Sequence, residues 1–222
     1  TGAGTGVGRA VMVLFAREGA KVVGVSRTQA NLDETLALVV QAGGEGTVVS
    51  ADLSEDKGAE ETITAAVDAY GGIDLVVTSA GVGYSWAESH PGTMDDVAAT
   101  TPEAWHDIMA LNLDSTFYVV RRAIPEMRKR GGGAVVNVAS ISGMLGLPVA
   151  HTYSAAKGAT INLTRSMCVA YAKDNIRSNC VAPGWIATPM VAPLLEVFDD
   201  PAQAEAITPA GRPGTPDEMA NA

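Results

Sequence analysis

Cysteine, histidine and aromatic residues are scarce in this chain. Among 222 residues there are two Cys and three His, and Phe, Trp and Tyr together account for 5%. Cys168 and Cys180 lack C-x-x-C spacing, and the histidines are scattered along the chain. We therefore expect neither a disulfide framework nor a metal site.

Long apolar runs are also absent. None reaches the ~18 residues of a membrane helix, and no signal peptide is visible. We therefore expect a reducing, cytoplasmic setting and no membrane partner.

Basic residues are fewer than acidic ones. Lys and Arg number 15 against 25 Asp and Glu, which gives a net charge of −10. Nucleic-acid binding needs a basic patch, so we expect no nucleic-acid partner. The hydrophobic fraction of 47% suits one globular domain, and residues 1–222 are predicted to form a single domain.

Strand and helix patterns alternate along the sequence. This alternation predicts an α/β fold of three layers, a doubly wound parallel sheet with helices on both faces. Ser54 is predicted to cap the third helix, and Trp105 and Phe117 are predicted to be core residues. Strands are predicted at 21–26, 47–51, 74–78, 133–139 and 177–181, and helices at 9–18, 29–41, 54–70, 102–130 and 151–173.

A glycine-dense segment precedes the first predicted helix. Thr1-Gly2-Ala3-Gly4-Thr5-Gly6-Val7-Gly8 has the spacing G-x-x-x-G-x-G, not the G-x-G-x-x-G of the dinucleotide fingerprint. Glycines at this place let backbone N–H groups approach a phosphate, which the helix N-terminus also favours. A flexible turn is the alternative interpretation.

The first predicted strand ends at Ser26, and Arg27 follows. A dinucleotide fold commonly has an acid here that binds the ribose 2′-hydroxyl. Arg can instead pair with a 2′-phosphate through a bidentate fork, whereas a carboxylate would repel it. The pair therefore favours NADP over NAD, with an ordinary solvated Arg as the alternative.

Tyr153 and Lys157 lie four positions apart on a predicted helix, and Ser140 precedes Tyr153 by thirteen positions. Residues at i and i+4 share one helix face, so the ammonium can favour ionisation of the phenol. Lowering the phenol pKa by ~3 units needs ~4 kcal/mol, which Lys157 and a second positive charge could supply together. The alternative is a surface pair with no chemical role.

Together these motifs resemble the short-chain dehydrogenase/reductase family in its short, single-domain branch, close to 3-oxoacyl-acyl-carrier-protein reductases. The resemblance spans nearly the whole chain and implies a Rossmann fold. It implies a catalytic tetrad of Asn112, Ser140, Tyr153 and Lys157. It also implies cofactor contacts from Gly2, Gly4, Thr5, Gly6, Val7, Ser26, Arg27, Asp52, Leu53, Ala80, Gly81, Tyr153, Lys157, Pro183, Gly184, Ile186 and Thr188.

The family's mechanism gives the tetrad its roles. Tyr153 would donate a proton to a carbonyl oxygen and Lys157 would lower the pKa of Tyr153 and hold the nicotinamide ribose. Ser140 would place the substrate oxygen, and Asn112 would hold a water that links Lys157 to solvent. Without the resemblance, Ser140 could be a strand-end cap or turn residue, and Thr188 could cap a helix.

The sequence departs from the family pattern in two motifs. Val77-Thr78-Ser79-Ala80-Gly81 lacks both Asn of the usual Asn-Asn-Ala-Gly, which puts local order there in doubt. Residues 82–101, with Tyr84, Trp86 and His90, form a longer connection than expected. We predict that this loop forms part of the substrate pocket, with a solvated surface loop as the alternative.

Both ends of the chain depart from the family pattern as well. The family's first strand would precede the glycine loop, and its last helix and strand would follow residue 222. We therefore expect that the first and last strands are missing and that the neighbours of the first lack a ladder partner. Such a chain would be marginally stable or inactive.

The expected activity is NADP(H)-dependent interconversion of a secondary alcohol and a ketone, with a small carbonyl or alcohol substrate. A 3-oxoacyl thioester is the leading substrate, and hydroxysteroids, sugars and small alcohols are alternatives. A non-catalytic NADP-binding sensor or scaffold is the alternative outside enzymes. The helices around Asn112 and Tyr153 resemble those that pair across subunits in the family, so we expect a homodimer or homotetramer.

Overall fold

The computed structural model describes residues 1–222 as eight α-helices and five parallel strands. The strands are β1 (Lys21–Ser26), β2 (Glu45–Ser50), β3 (Leu75–Thr78), β4 (Gly133–Val138) and β5 (Ile176–Val181). The helices are α1 (Gly6–Arg17), α2 (Gln29–Gln41), α3 (Asp56–Tyr70), α4 (Pro102–Met109), α5 (Ser115–Arg130), α6 (His151–Tyr171), α7 (Pro201–Ile207) and α8 (Pro216–Ala220). The α/β class and each predicted strand are confirmed, with ends that differ by at most two residues.

The strands form a two-stranded ladder, β1–β2, and a three-stranded ladder, β3–β4–β5, all parallel. No ladder joins β1 to β3; a cavity of about 560 Å³ lined by residues of both strands lies between them. At one end of this gap, the Thr1 amine donates to Val77 O (2.7 Å) and Ala3 N donates to Val25 O (3.1 Å). β1 and β3 are the strands between which the family's first strand is expected. Each of them therefore has a ladder partner on one side only, β2 for β1 and β4 for β3.

The main core lies between β3–β5 and the helices that cover them. It contains Val135 and Met127, both fully buried, and Val119 of α5. The continuous apolar run of β4 is explained by this burial on both faces. Because all five strands are parallel, their carboxyl ends lie at one edge, where the loops that follow them meet.

Two expected details of the helices are wrong. Ser54 does not cap α3, because its hydroxyl donates to Asp52 Oδ1 at 2.7 Å and the residue before the helix is Glu55. Trp105 and Phe117 are not core residues: their exposed fractions are 37% and 45%. The same helices bury other positions, among them Ile108, Val119 and Val120.

The predicted long helix at 102–130 is interrupted by one π-helical turn, Ala110–Asp114. Asn112 lies in this turn and is 1% exposed. A π-turn inserts one residue into the helical repeat and is frequent at functional sites. It turns the Asn112 side chain toward the loop after β3.

Candidate active site

A cleft of about 360 Å³ lies at the carboxyl ends of β1, β3, β4 and β5. Every predicted site residue except Asn112 lines it, so one cleft collects motifs that are far apart in the sequence. These residues are Gly2, Gly4, Thr5, Gly6, Val7, Ser26, Arg27, Asp52, Leu53, Ala80, Gly81, Ser140, Tyr153, Lys157, Pro183, Gly184, Ile186 and Thr188.

The glycine loop brings the start of α1 into the cleft. Gly2 has φ +67°, and a Cβ there would lie 2.8 Å from Ser79 O, so the close approach to the β3 loop requires glycine. Helix α1 has no side-chain cap at Thr5 and no acid in its first turn. Its first N–H groups are thus available to an anion, and the helix dipole favours negative charge there. The residues present fit the phosphates of a dinucleotide.

Tyr153 lies near the N-terminus of α6 and is 8% exposed. Burial raises the pKa of the Tyr153 phenol to about 12, although hydrogen bonding to Ser140 pulls it down and nearby Tyr84 adds to the rise. Ser140 Oγ also accepts a hydrogen bond from Ser142 N at 3.2 Å, which holds the turn after β4. The structure therefore places the predicted proton donor beside the predicted positioning hydroxyl.

Lys157 is one helical turn after Tyr153 and is 5% exposed. Its Nζ donates to Val138 O at 3.0 Å and lies 5.6 Å from the centre of the Tyr153 ring. Burial lowers the pKa of Lys157 to about 8, with Cys180 opposing the shift. The expected lowering of the Tyr153 pKa is not found, because burial disfavours the charged forms of both groups.

Asn112 lies behind the cleft and braces its wall. Asn112 Oδ1 accepts from Val82 N at 3.1 Å, and Nδ2 donates to Ile108 O at 3.1 Å. A Cβ placed on Gly81 would lie 2.6 Å from Asn112 Oδ1 and 3.6 Å from Lys157 Nζ. The amide and the amine therefore flank the same glycine.

The doubt about order in the segment after β3 is resolved by other residues. Thr78 Oγ1 donates to Asn137 Oδ1 at 2.7 Å, and Asn137 Nδ2 donates to Thr164 Oγ1 at 2.8 Å, all buried. Thr1 Oγ1 accepts from Ser79 N at 3.0 Å and from Ala80 N at 2.9 Å. Hydroxyls and one amide from β4 thus take the bracing role of the absent asparagines.

The other end of the cleft carries Ser26, Arg27 and Asp52. Ser26 Oγ is buried and has no hydrogen-bond partner. Arg27 is exposed, and its guanidinium forms no hydrogen bond or ion pair within the chain. Burial pushes the pKa of Asp52 up, but hydrogen bonds from Ser54 and the charge of Arg27 outweigh this, so the pKa is lowered. A free cation therefore stands beside an ionised carboxylate.

Aromatic residues surround the Tyr153 end, and sequence reasoning missed one of them. Tyr84 lies 6.4 Å, between ring centroids, from both Tyr153 and Trp185. The missed residue is Trp185. It directly follows Pro183-Gly184, and this position could have indicated that it lines the cleft. From the loop at 82–101, Tyr84 lines the cleft, whereas Trp86 and His90 do not.

No cluster of three or more His, Cys, Asp or Glu has the arrangement of a metal site. None of the helices combines the length and the apolarity that a membrane crossing requires.

Comparison with known proteins agrees with this geometry. A family model described as enoyl-(acyl carrier protein) reductase matches residues 2–222. The 3-oxoacyl-(acyl-carrier-protein) reductase FabG of Thermotoga maritima is 33% identical over 99% of this chain and 85% of its own length. Cyclohexanol dehydrogenase of Acinetobacter sp. SE19 is 32% identical over 99% of this chain and 82% of its own length.

Solved structures give the same result. The crystal structure of levodione reductase superposes with a TM-score of 0.89 at 32% identity, covering 99% of this chain and 85% of that one. These matches extend over nearly the whole chain and therefore include the segments that form the cleft. The chain belongs to the short-chain dehydrogenase/reductase family of oxidoreductases.

Proposed function

We propose that this chain is an NADP(H)-dependent carbonyl reductase that interconverts a ketone and a secondary alcohol. The observation that carries the proposal is the cleft itself. A buried phenol, a hydroxyl and an amine lie at one end, namely Tyr153, Ser140 and Lys157. An uncapped helix start and the free Arg27 lie at the other end.

When bound, a nicotinamide cofactor exchanges a hydride with the substrate carbon. Tyr153 Oη donates a proton to the substrate oxygen in reduction and takes it back in oxidation. The pKa of Tyr153, about 12, keeps the phenol in the protonated form that reduction requires. Ser140 donates a second hydrogen bond that holds the substrate oxygen in place.

Lys157 stabilises the phenolate that remains after proton donation. Its pKa of about 8 leaves the amine largely charged at neutral pH. Asn112 would hold a water between Lys157 and solvent, through which the phenol is reprotonated; their common neighbour Gly81 supports this role.

The preference for NADP rests on Ser26 and Arg27. A 2′-phosphate would offer an acceptor to the unpartnered Ser26 hydroxyl and a bidentate partner to the Arg27 guanidinium. No carboxylate occupies the position where an acid would bind a ribose 2′-hydroxyl.

For the substrate, we propose a 3-oxoacyl thioester or another hydrophobic ketone. Tyr84, Trp185 and Met190 give the Tyr153 end of the cleft an apolar wall. Two relatives support this choice. FabG is named for a 3-oxoacyl group on an acyl carrier protein, and cyclohexanol dehydrogenase is named for a cyclic alcohol.

We further propose that residues 1–222 act as one catalytic domain in a homo-oligomer. Exposed apolar residues on α4, α5 and α6 support association through these helices: Trp105, Phe117 and Val169.

The test is oxidation of NADPH and of NADH in the presence of a ketone panel. We expect turnover with NADPH and a rise in KM for NADPH, but not for NADH, in Arg27→Ala. Arg177→Ala is the matched control, because Arg177 is exposed and lies outside the cleft. Tight NADPH binding without turnover on any ketone would instead favour a sensor.

A further inference from the structure

The Arg27 guanidinium is held by an aromatic ring and not by an acid. Its central carbon lies 5.1 Å from the centre of the Trp86 ring. Most other arginines pair with a carboxylate, for example Arg122 with Asp56 and Arg128 with Asp174. Arg27 keeps all its N–H groups free while its position is constrained.

Trp86 is itself held from several sides. Its ring is stacked on His90, with centroids 3.7 Å apart and planes 4° from parallel. Its backbone N donates to Gly83 O at 2.9 Å, and its carbonyl accepts from His90 N at 2.9 Å. The preceding Ser85 N donates to Met190 O at 3.0 Å, which ties this turn to the loop after β5.

A cation–π contact suits the needs of a phosphate-binding arginine. Attraction between the ring face and the cation restrains a long, flexible side chain. It uses a face of the planar guanidinium and leaves the N–H edge, which binds phosphate oxygens. An unrestrained Arg27 would lose more side-chain entropy on binding. It would also be drawn toward the ionised Asp52, whose pKa its charge already lowers.

We propose that Trp86 is a specificity-determining residue for the cofactor, acting by positioning Arg27 for a 2′-phosphate. The inference rests on the proposed NADP(H) dependence and deepens it. It gives the loop at 82–101 a second role, because Trp86 contacts the cofactor-selecting arginine while Tyr84, two residues earlier, lines the cleft beside Tyr153.

The test measures KM and kcat for NADPH and NADH in Trp86→Leu and Trp86→Phe. We expect Trp86→Leu to raise KM for NADPH by about threefold to tenfold, with KM for NADH and kcat unchanged. Trp86→Phe keeps a weaker aromatic face and should fall between wild type and Trp86→Leu; it also guards against a folding defect in the Leu variant. Tyr70→Leu is the matched control, because it removes a cation–π contact with Lys21 outside the cleft.

A double-mutant cycle separates positioning from general loop damage. In an Arg27→Ala background, Trp86→Leu should change KM for NADPH by less than about twofold, since the coupled partner is gone. Equal KM increases for both cofactors, or additive effects in the cycle, would overturn the inference while the proposed function stands. If Arg27→Ala raises KM for NADPH and NADH equally, the cofactor proposal fails and the inference fails with it.

Discussion

Lys157 Nζ lies 5.6 Å from the centre of the Tyr153 ring, and its hydrogen bond goes to the Val138 carbonyl. The two groups are buried side by side, and burial disfavours the charged form of each. It raises the pKa of Tyr153 to about 12 and lowers the pKa of Lys157 to about 8. At neutral pH the cleft therefore contains the protonated Tyr153 phenol next to the Lys157 amine, which loses its charge above about pH 8. This order suits proton donation, the step that reduction of a ketone requires.

Removing the phenol oxygen should stop proton transfer but leave the cleft intact. We expect Tyr153→Phe to lower kcat by about a thousandfold, within the range of general acid–base catalysis. NADPH affinity, measured by cofactor fluorescence, should change by less than about threefold. Tyr118→Phe is the control, because Tyr118 packs against the core and lies outside the cleft. Residual activity above a tenth of wild type would contradict the role of Tyr153.

The buried amine should leave a signature in stability against pH. The Lys157 pKa falls from 10.5 in the unfolded chain to about 8 in the folded one, so the unfolded state binds more protons between these values. The free energy of unfolding therefore rises as the pH increases from about 8 toward 10.5. The same contribution is lost as the pH falls back through about 8. Between pH 7.5 and 9.5 the gain is about 2 kcal/mol.

The comparison of wild type with Lys157→Met isolates this gain, because other titrations are common to both proteins. Urea unfolding at pH 7.5 and 9.5 gives the free energies. The window stays below pH 10, where loss of the Tyr153 proton in the unfolded chain begins to destabilise the fold. Equal pH dependence of the two proteins would show that Lys157 has an ordinary pKa.

Local sequence signals were sufficient for the strands, for the glycine loop at Gly2 and for the pairing of Tyr153 with Lys157. Most other residues of the cleft, Pro183 among them, were expected only because the sequence resembles the family. Three-dimensional contacts were needed for the rest. The local sequence does not indicate that the Asn137 amide accepts the hydrogen bond from Thr78. The two residues are 59 positions apart, and the parallel register of β3 and β4 brings them together. The exposure of Phe117 was misjudged because the apolar character of a helical residue does not by itself say whether it faces the core.

The Asn137 amide should be a large contributor to stability. Asn137→Ala leaves the buried Thr78 hydroxyl without a partner and removes the amide's bond to Thr164. We expect a loss of about 3 kcal/mol in the free energy of unfolding. Ser178→Ala on the adjacent strand is the control: its hydroxyl is buried without a partner, so its removal should cost almost nothing. Similar losses in both variants would mean that the network does not stabilise the sheet.

Association of subunits should depend on the exposed face of α5. Phe117 is 45% exposed, and a charge placed there would be buried at the proposed interface at high cost. We expect Phe117→Glu to shift the protein to a smaller species in size-exclusion chromatography with light scattering. Leu38→Glu, at an exposed apolar position on α2, should leave the mass unchanged. A monomeric wild type would remove the oligomer proposal.

Substrate choice should depend on the aromatic wall at the Tyr153 end. Tyr84 lies 6.4 Å from Tyr153 and, nearly parallel, 6.4 Å from Trp185, whose ring in turn meets Phe198 edge-on at 5.9 Å. Tyr84→Ala removes a ring from this wall and leaves Tyr153, Ser140 and the glycine loop unsubstituted. Because Tyr84 packs beside Tyr153, the measurement is the ratio between two ketones and not the absolute rate. The space gained should favour bulky cyclic ketones over short linear ones by about tenfold in relative kcat/KM, the usual discrimination of an apolar pocket. Tyr118→Ala controls for the loss of a tyrosine elsewhere. If the ratio between the two ketone classes is the same in wild type and Tyr84→Ala, the loop at 82–101 does not form the substrate pocket.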